Sequence, residues 1–150
     1  MSERFLRNEM ILGSDALKKL AGSHVCVFGL GGVGSYAVEA LARAGGGELT
    51  LVDQDAYSES NINRQLGALM STVGRAKADV LAERVLDINP ECVVHPVLGR
   101  YEKENAEQFF ADYDYVVDAI DLVACKVDLI CRCLEKNIPI ISALGTGNKL

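Results

Sequence analysis

No apolar run in the chain approaches the roughly 18 residues that a membrane-spanning helix needs. The opening stretch MSERFLRNEM is charged where a secretory leader would be apolar, so a cytoplasmic protein is expected. An excess of basic charge is missing too: 15 Lys and Arg stand against 21 Asp and Glu, for a formal net charge of −6. This segment therefore carries no sign of a basic nucleic-acid-binding face, which leaves RNA binding by other parts of a protein open. There is no C-x-x-C pair, and the cysteines number five (Cys26, Cys92, Cys125, Cys131, Cys133), so neither a disulfide framework nor a zinc site is signalled. Cys26 lies inside an apolar run, and Cys131 shares a helical face with Val127, Ile130 and Leu134, so both are expected in the core. Cys125 and Cys133 stay open, a thiol role included. Internal repeats, low-complexity tracts and linkers are also absent.

What is present is an ordinary soluble composition, 49% apolar and 24% charged over 150 residues, enough for one domain with a real core. Strand and helix signals alternate. Helices are expected at 14–20 (capped by Ser14 or Asp15), 35–45, 75–88, 103–113 and 124–137, and strands at 25–28, 49–52, 93–97, 115–119 and 138–142. Pro96 puts the third strand near an edge or a strand end. His24 and His95 sit at or in strands and read as structural. Such alternation implies βαβ units: a Rossmann-like α/β fold, with a mainly parallel sheet and helices on both faces. Ligands in such folds bind beyond the carboxyl ends of the strands.

Four features gather at those ends. GLGGVG, Gly29 to Gly34, fits G-x-G-x-x-G between the first strand and its helix. Gly29, Gly31, Gly32 and Gly34 would let backbone approach a phosphate at a helix N-terminus. Asp53 ends the second strand, where a carboxylate can accept both ribose hydroxyls of an adenosine. Asp55 follows two residues later and could assist or bind a metal. A nicotinamide dehydrogenase fits equally well to this point. The stretch ESNINRQ, 59–65, separates the readings. It offers Asn61, Arg64 and Gln65, and Lys77 comes 13 residues after Arg64. Taken alone, Lys77 reads as a solvated helix lysine. Together, one guanidinium and one ammonium with polar helpers suit a triphosphate better than a bridging diphosphate. The last feature is VVDAID. Either Asp118 and Asp121 both hold a cation, or Asp118 bonds nearby backbone and only Asp121 faces the ligand; the second is favoured.

GLGGVG, LVDQD, SNINRQ, VGRAKA, INPEC and VVDAID, in this order and spacing over nearly the whole chain, resemble the ThiF/MoeB/HesA superfamily of ubiquitin-activating-type adenylating enzymes. RFLRNEMILG, EALARAG, NRQLGAL and INPEC are most similar to its tRNA threonylcarbamoyladenosine dehydratase branch. The resemblance implies ATP-dependent adenylation of a carboxylate: the threonylcarbamoyl group on a tRNA adenosine, which then cyclises with net loss of water. The alternative is the C-terminus of a ubiquitin-like sulfur-carrier protein. It also implies roles. The Gly31–Gly32 backbone would lie near the phosphates, Asp53 would hold the ribose, Asn61, Arg64 and Lys77 would bind phosphate, and Asp121 would bind Mg2+. Arg7 would reach the neighbouring subunit's nucleotide in a homodimer. Family members continue well beyond Leu150, so residues 1–150 are expected to be a ThiF-type nucleotide-binding domain truncated at its C-terminal end. Leu122 stands where the sulfur-carrier branches have asparagine, which disfavours them. Arg7, Arg64, Lys77 and Asp121 together argue against a non-catalytic partner subunit.

Overall fold

The computed structural model describes residues 2–145. Two short helices, α1 (Leu6–Leu12) and α2 (Ser14–Ala21), precede β1 (His24–Phe28). Then come α3 (Gly34–Ala44), β2 (Glu48–Asp53), α4 (Lys77–Ile88), β3 (Val93–Leu98), β4 (Tyr115–Asp118), α5 (Val123–Glu135) and β5 (Ile140–Ser142). Every strand pairing is parallel, in the order β3-β2-β1-β4-β5. The chain thus starts in the middle, builds outward to one edge, and returns to build toward the other. Pro96 falls on the edge strand β3, where a missing N–H costs least.

Period-two alternation along β1 and β2 feeds two cores. Val25, Val27, Leu49 and Leu51 pack with Val38 and Ala42 of α3 and Leu81 and Val85 of α4. Cys26, Phe28, Val52 and Val116 pack on the opposite face with Leu129 and Cys133 of α5 and with Tyr101, Phe109 and Tyr113. Helices therefore cover both faces, as the alternating pattern predicts. Among the described residues no helix is long and apolar enough to cross a membrane.

Three expectations are corrected. The helix over 103–113 does not form; only a 3-10 turn at Ala106–Phe109 appears. The Asn105 side chain accepts from Glu102 N–H and donates to the Arg100 carbonyl, both at 2.8 Å. These local bonds compete with a helical ladder. Phe28 meets Tyr101 and Phe109 edge-on at 5.4 and 6.3 Å, so the segment is shaped by aromatic packing instead of helical spacing. Cys131 is exposed, not core, together with Val127 and Leu134. Helix α5 is apolar on more than one side, and the side carrying Cys125, Leu129 and Cys133 meets the sheet; Cys125 and Cys133 are therefore buried. Helix α2 begins after Gly13 with no side-chain cap; Ser14 Oγ donates to Glu9 Oε1 at 2.6 Å.

Candidate active site

The carboxyl ends of β1, β2 and β4 open into a cleft of about 480 Å³ beside the switch in strand order. Gly29 leaves β1 in a left-handed conformation, φ 86°, and donates its N–H to Val52 O at 2.9 Å. A Cβ there would sit 2.5 Å from the Ala119 carbonyl, so only glycine lets the exits of β1 and β4 lie side by side. A Cβ on Gly34 would run into the Gly29 carbonyl, which closes the turn beneath the cleft. Gly31, Gly32 and Val33 line the cleft where α3 begins. Ser35 Oγ donates to Gly31 O at 2.6 Å and fixes the turn to the first turn of that helix.

Asp53 lines the cleft, and its carboxylate braces the surrounding loops. Oδ2 accepts from Leu30 N–H at 2.8 Å, and Oδ1 accepts from Asp55 N–H at 2.7 Å. The glycine turn and the end of β2 are thereby joined through one side chain.

The stretch 59–65 forms a 3-10 turn at Glu59–Asn61. Asn61 is outside the cleft lining; its Oδ1 accepts from Ser58 N–H at 3.0 Å and caps the turn. Arg64 does line the cleft. Its Nη1 donates to Ser60 O and Asn63 Oδ1, both at 2.9 Å. Both acceptors are neutral, so no carboxylate among the described residues compensates its charge. Gln65 is buried at the same wall, and its Oε1 has no hydrogen-bond partner among the described residues.

Lys77 is the first residue of α4 and is only 5% exposed, not the solvated lysine its position alone suggests. Its ammonium lies 3.9 Å from Asp55 Oδ2, beyond hydrogen-bond length, and 5.9 Å above the Tyr57 ring. Tyr57 beneath it is buried, which pushes its phenol up to about 12. Asp121 is exposed in the cleft wall. Asp118 faces away. It is fully buried, accepts from Ile120 N–H at 3.0 Å and pairs with Lys126 Nζ at 2.7 Å.

The structure thus brings Gly29, Gly31, Gly32, Asp53, Asp55, Arg64, Gln65, Lys77 and Asp121 to one cleft and leaves Asn61, Gly34 and Arg7 outside its lining. Arg7 is exposed on α1, beside the exposed Leu6, Met10 and Ile11. Sequence reasoning missed Arg100, Tyr101, Phe28 and Cys125 in the lining. Gly99-Arg100-Tyr101 follow β3 directly, so the strand-end rule, applied to this strand as well, would have found two of them. It also missed Lys126, the partner of Asp118.

The profile of the ThiF family matches residues 5–149. The chain belongs to the ThiF family. It is 50% identical, over 99% of its length and 59% of the relative's, to a tRNA threonylcarbamoyladenosine dehydratase of Bacillus subtilis strain 168. A molybdopterin-synthase adenylyltransferase of Escherichia coli K12 is 36% identical, over 87% of this chain and 51% of that protein. A crystal structure of an E. coli tRNA N6-threonylcarbamoyladenosine dehydratase in complex with ATP superposes with a TM-score of 0.95 at 45% identity, over 99% of this chain and 61% of that one. This ThiF chain therefore spans about half to three-fifths of the length of the relatives it matches. The superposition matches its parallel sheet and flanking helices to that Rossmann-like architecture.

Proposed function

We propose that the chain is the nucleotide-binding part of a cytoplasmic enzyme that adenylates a carboxylate with ATP, and that the carboxylate is the threonylcarbamoyl group on a tRNA adenosine. The observation that carries this is Lys77: a nearly buried ammonium at the cleft wall whose nearest carboxylate stands 3.9 Å away. A buried cation without a close partner is costly and is relieved by an anionic ligand. Arg64, with neutral partners only, stands ready on the same cleft.

In this reading the glycine turn presents backbone N–H groups and the α3 N-terminus to the phosphates. Asp53 keeps unused lone pairs for the ribose hydroxyls, because each of its oxygens accepts one backbone N–H. Phe28, Tyr101 and Cys125 supply apolar wall. A carboxylate oxygen of the acceptor attacks the α-phosphorus, the bond to the bridging oxygen breaks, and pyrophosphate departs. Arg64 and Lys77 neutralise the charge that builds on pyrophosphate, so the protein's part is positioning and electrostatics. A nucleophile within the same side chain then attacks the activated carbonyl carbon and AMP leaves, closing a ring with net loss of water.

Asp121 and Asp55 both line the cleft and offer hard oxygen donors, a donor type that fits Mg2+ shared with phosphate. The ion would add positive charge beside the phosphates. Asn61 acts through the turn that it caps, which sets where Arg64 stands. Arg7, exposed among apolar neighbours on α1, reaches the nucleotide of a second copy in a homodimer.

Activation of a sulfur-carrier C-terminus is the second reading, favoured by the 36% identity to the molybdopterin-synthase adenylyltransferase. The higher identity to the dehydratase and Leu122 in the cleft wall support the tRNA substrate. The deciding test incubates the full-length protein with ATP and Mg2+ plus either threonylcarbamoyl-modified tRNA or a sulfur-carrier protein, and measures AMP. Stimulation by the tRNA is expected; stimulation by the carrier alone overturns the substrate. A titration of this chain in which NAD outcompetes ATP overturns the adenylation reading itself.

A further inference from the structure

At the amino end of the sheet, opposite the cleft, three side chains converge. His24 opens β1 and Glu48 opens β2, and the two are register partners. Thr50, two residues after Glu48, pairs with His95 of β3. Side chains alternate along a strand, so His24, Glu48, Thr50 and His95 project from the same face. Glu48 Oε1 lies 2.7 Å from His95 Nε2 and 3.6 Å from His24 Nδ1. One nitrogen from each ring and a carboxylate oxygen all lie within 4.8 Å of one another.

The second nitrogen of His24 is engaged: Nε2 stands 2.8 Å from Thr50 Oγ1. The Tyr113 ring meets the imidazole edge-on at 4.9 Å, so its orientation is held from two sides. Metal-bound imidazoles are oriented in this way, by a hydrogen bond at the nitrogen that does not ligate. What remains, Nδ1, faces Glu48 across a gap too long for a hydrogen bond. With Thr50 Oγ1 accepting from Nε2–H, Nδ1 is left with its lone pair toward Glu48, and that separation leaves room for a cation. Ligand atoms around a tetrahedral Zn2+ stand roughly 3.4 Å apart, between the two separations found here. The Glu48 and His95 side chains are 39% and 47% exposed, which gives an ion access, while His24 at 15% gives the site a rigid inner wall.

We propose that His24, Glu48 and His95 bind one Zn2+, with water as the fourth ligand, and that the ion clamps the first residues of β1 and β2 to the edge strand β3. Two imidazoles, borderline donors, beside one carboxylate suit Zn2+ over Mg2+. Its place at the far end of the sheet separates the site from the nucleotide cleft, so neither ATP nor phosphate is needed to fill it.

The test uses the chain stripped of metal with a chelator and titrated with zinc chloride by calorimetry, with Co2+ absorption as a second readout. One equivalent is expected to bind, Co2+ is expected to show tetrahedral d–d bands, and zinc is expected to raise the melting temperature. Glu48→Gln and His95→Gln should each weaken binding by about tenfold or more, with unchanged circular dichroism. Cys131→Ser, which removes the exposed thiol, should leave binding intact. Absence of binding, or binding undiminished in His95→Gln, or loss of binding in Cys131→Ser alone, overturns the proposal.

Discussion

Two lysines are nearly buried among the described residues, and their surroundings are opposite in kind. Lys126 of α5 is 6% exposed and Lys77 of α4 is 5% exposed. Lys126 is paired at close range: Asp118, itself fully buried, lies 2.7 Å away, and the Ala143 carbonyl accepts a second bond at 2.9 Å. Lys77 is left half-answered by an exposed Asp55 at 3.9 Å, and it looks into a cleft. Burial alone does not mark a functional cation. A buried charge held by a buried counter-charge joins elements, here the end of β4 to α5 and the segment after β5. In the proposed function, the buried charge whose carboxylate stands beyond hydrogen-bond reach is the one that takes the ligand.

The comparison breaks most visibly through Lys126. Lys126→Met leaves Asp118 as an uncompensated buried carboxylate and should cost about 3–5 kcal/mol of stability, read as a fall in the denaturant midpoint. Adding Asp118→Asn should return part of that loss, because the coupling between the two sites disappears with both charges. A melting curve unchanged by Lys126→Met would remove the structural half of the contrast.

Lys77→Met should show the inverse pattern. The substitution keeps the aliphatic stem and removes a charge-assisted bond, so ATP affinity should fall by about 1.5–3 kcal/mol while the melting temperature stays near that of the wild type. Calorimetric titration with ATP beside a thermal melt separates the two effects. Arg64→Ala takes an exposed side chain and should shift stability by no more than about 0.5 kcal/mol. Pyrophosphate exchange by the full-length protein should nonetheless be abolished, and unchanged exchange would take Arg64 out of the site.

The smallest effect is expected at a third kind of pair, on the outer side of the α3–α4 layer. Arg84 holds the Glu39 carboxylate at 2.6 and 3.0 Å, with Arg43 at 2.7 Å, and these bonds keep Glu39 below its ordinary value of 4.5. A carboxylate held low in the folded state adds stability above that ordinary value. The contribution is lost as pH falls through the depressed value. Glu39→Gln should therefore lower stability modestly near neutral pH, where these bonds contribute, leave the acid region unchanged, and so flatten the acid limb of a stability–pH profile.

Much of the fold was legible because its signals are local. VCVF breaking into glycines, helical spacing in 35–45, and turn residues between the elements all depend on neighbours in the chain. The segment 103–113 was misread because helical spacing there was outweighed by Asn105 bonding its own backbone and by aromatic packing on Phe28. Cys131 was misplaced for a related reason: α5 carries two apolar stripes, and only the sheet selects one of them. The strand-end rule led to Asp53 and Asp121, yet it passed over Arg100 and Tyr101 because the loop after β3 lacks a glycine motif of the same clarity.

The alternation of strands and helices, the glycine turn and the polar residues at strand ends were set by sequence alone, since each is written in a short stretch of chain. Which charge is neutralised was decided only in three dimensions. Asp118 finds Lys126 one helical segment later, Lys77 comes to lie over Tyr57 with Asp55 just out of reach, and His24, Glu48 and His95 meet across three strands. Electrostatic energy depends on distances of a few ångströms and on burial, and neither is fixed until the sheet has closed around them.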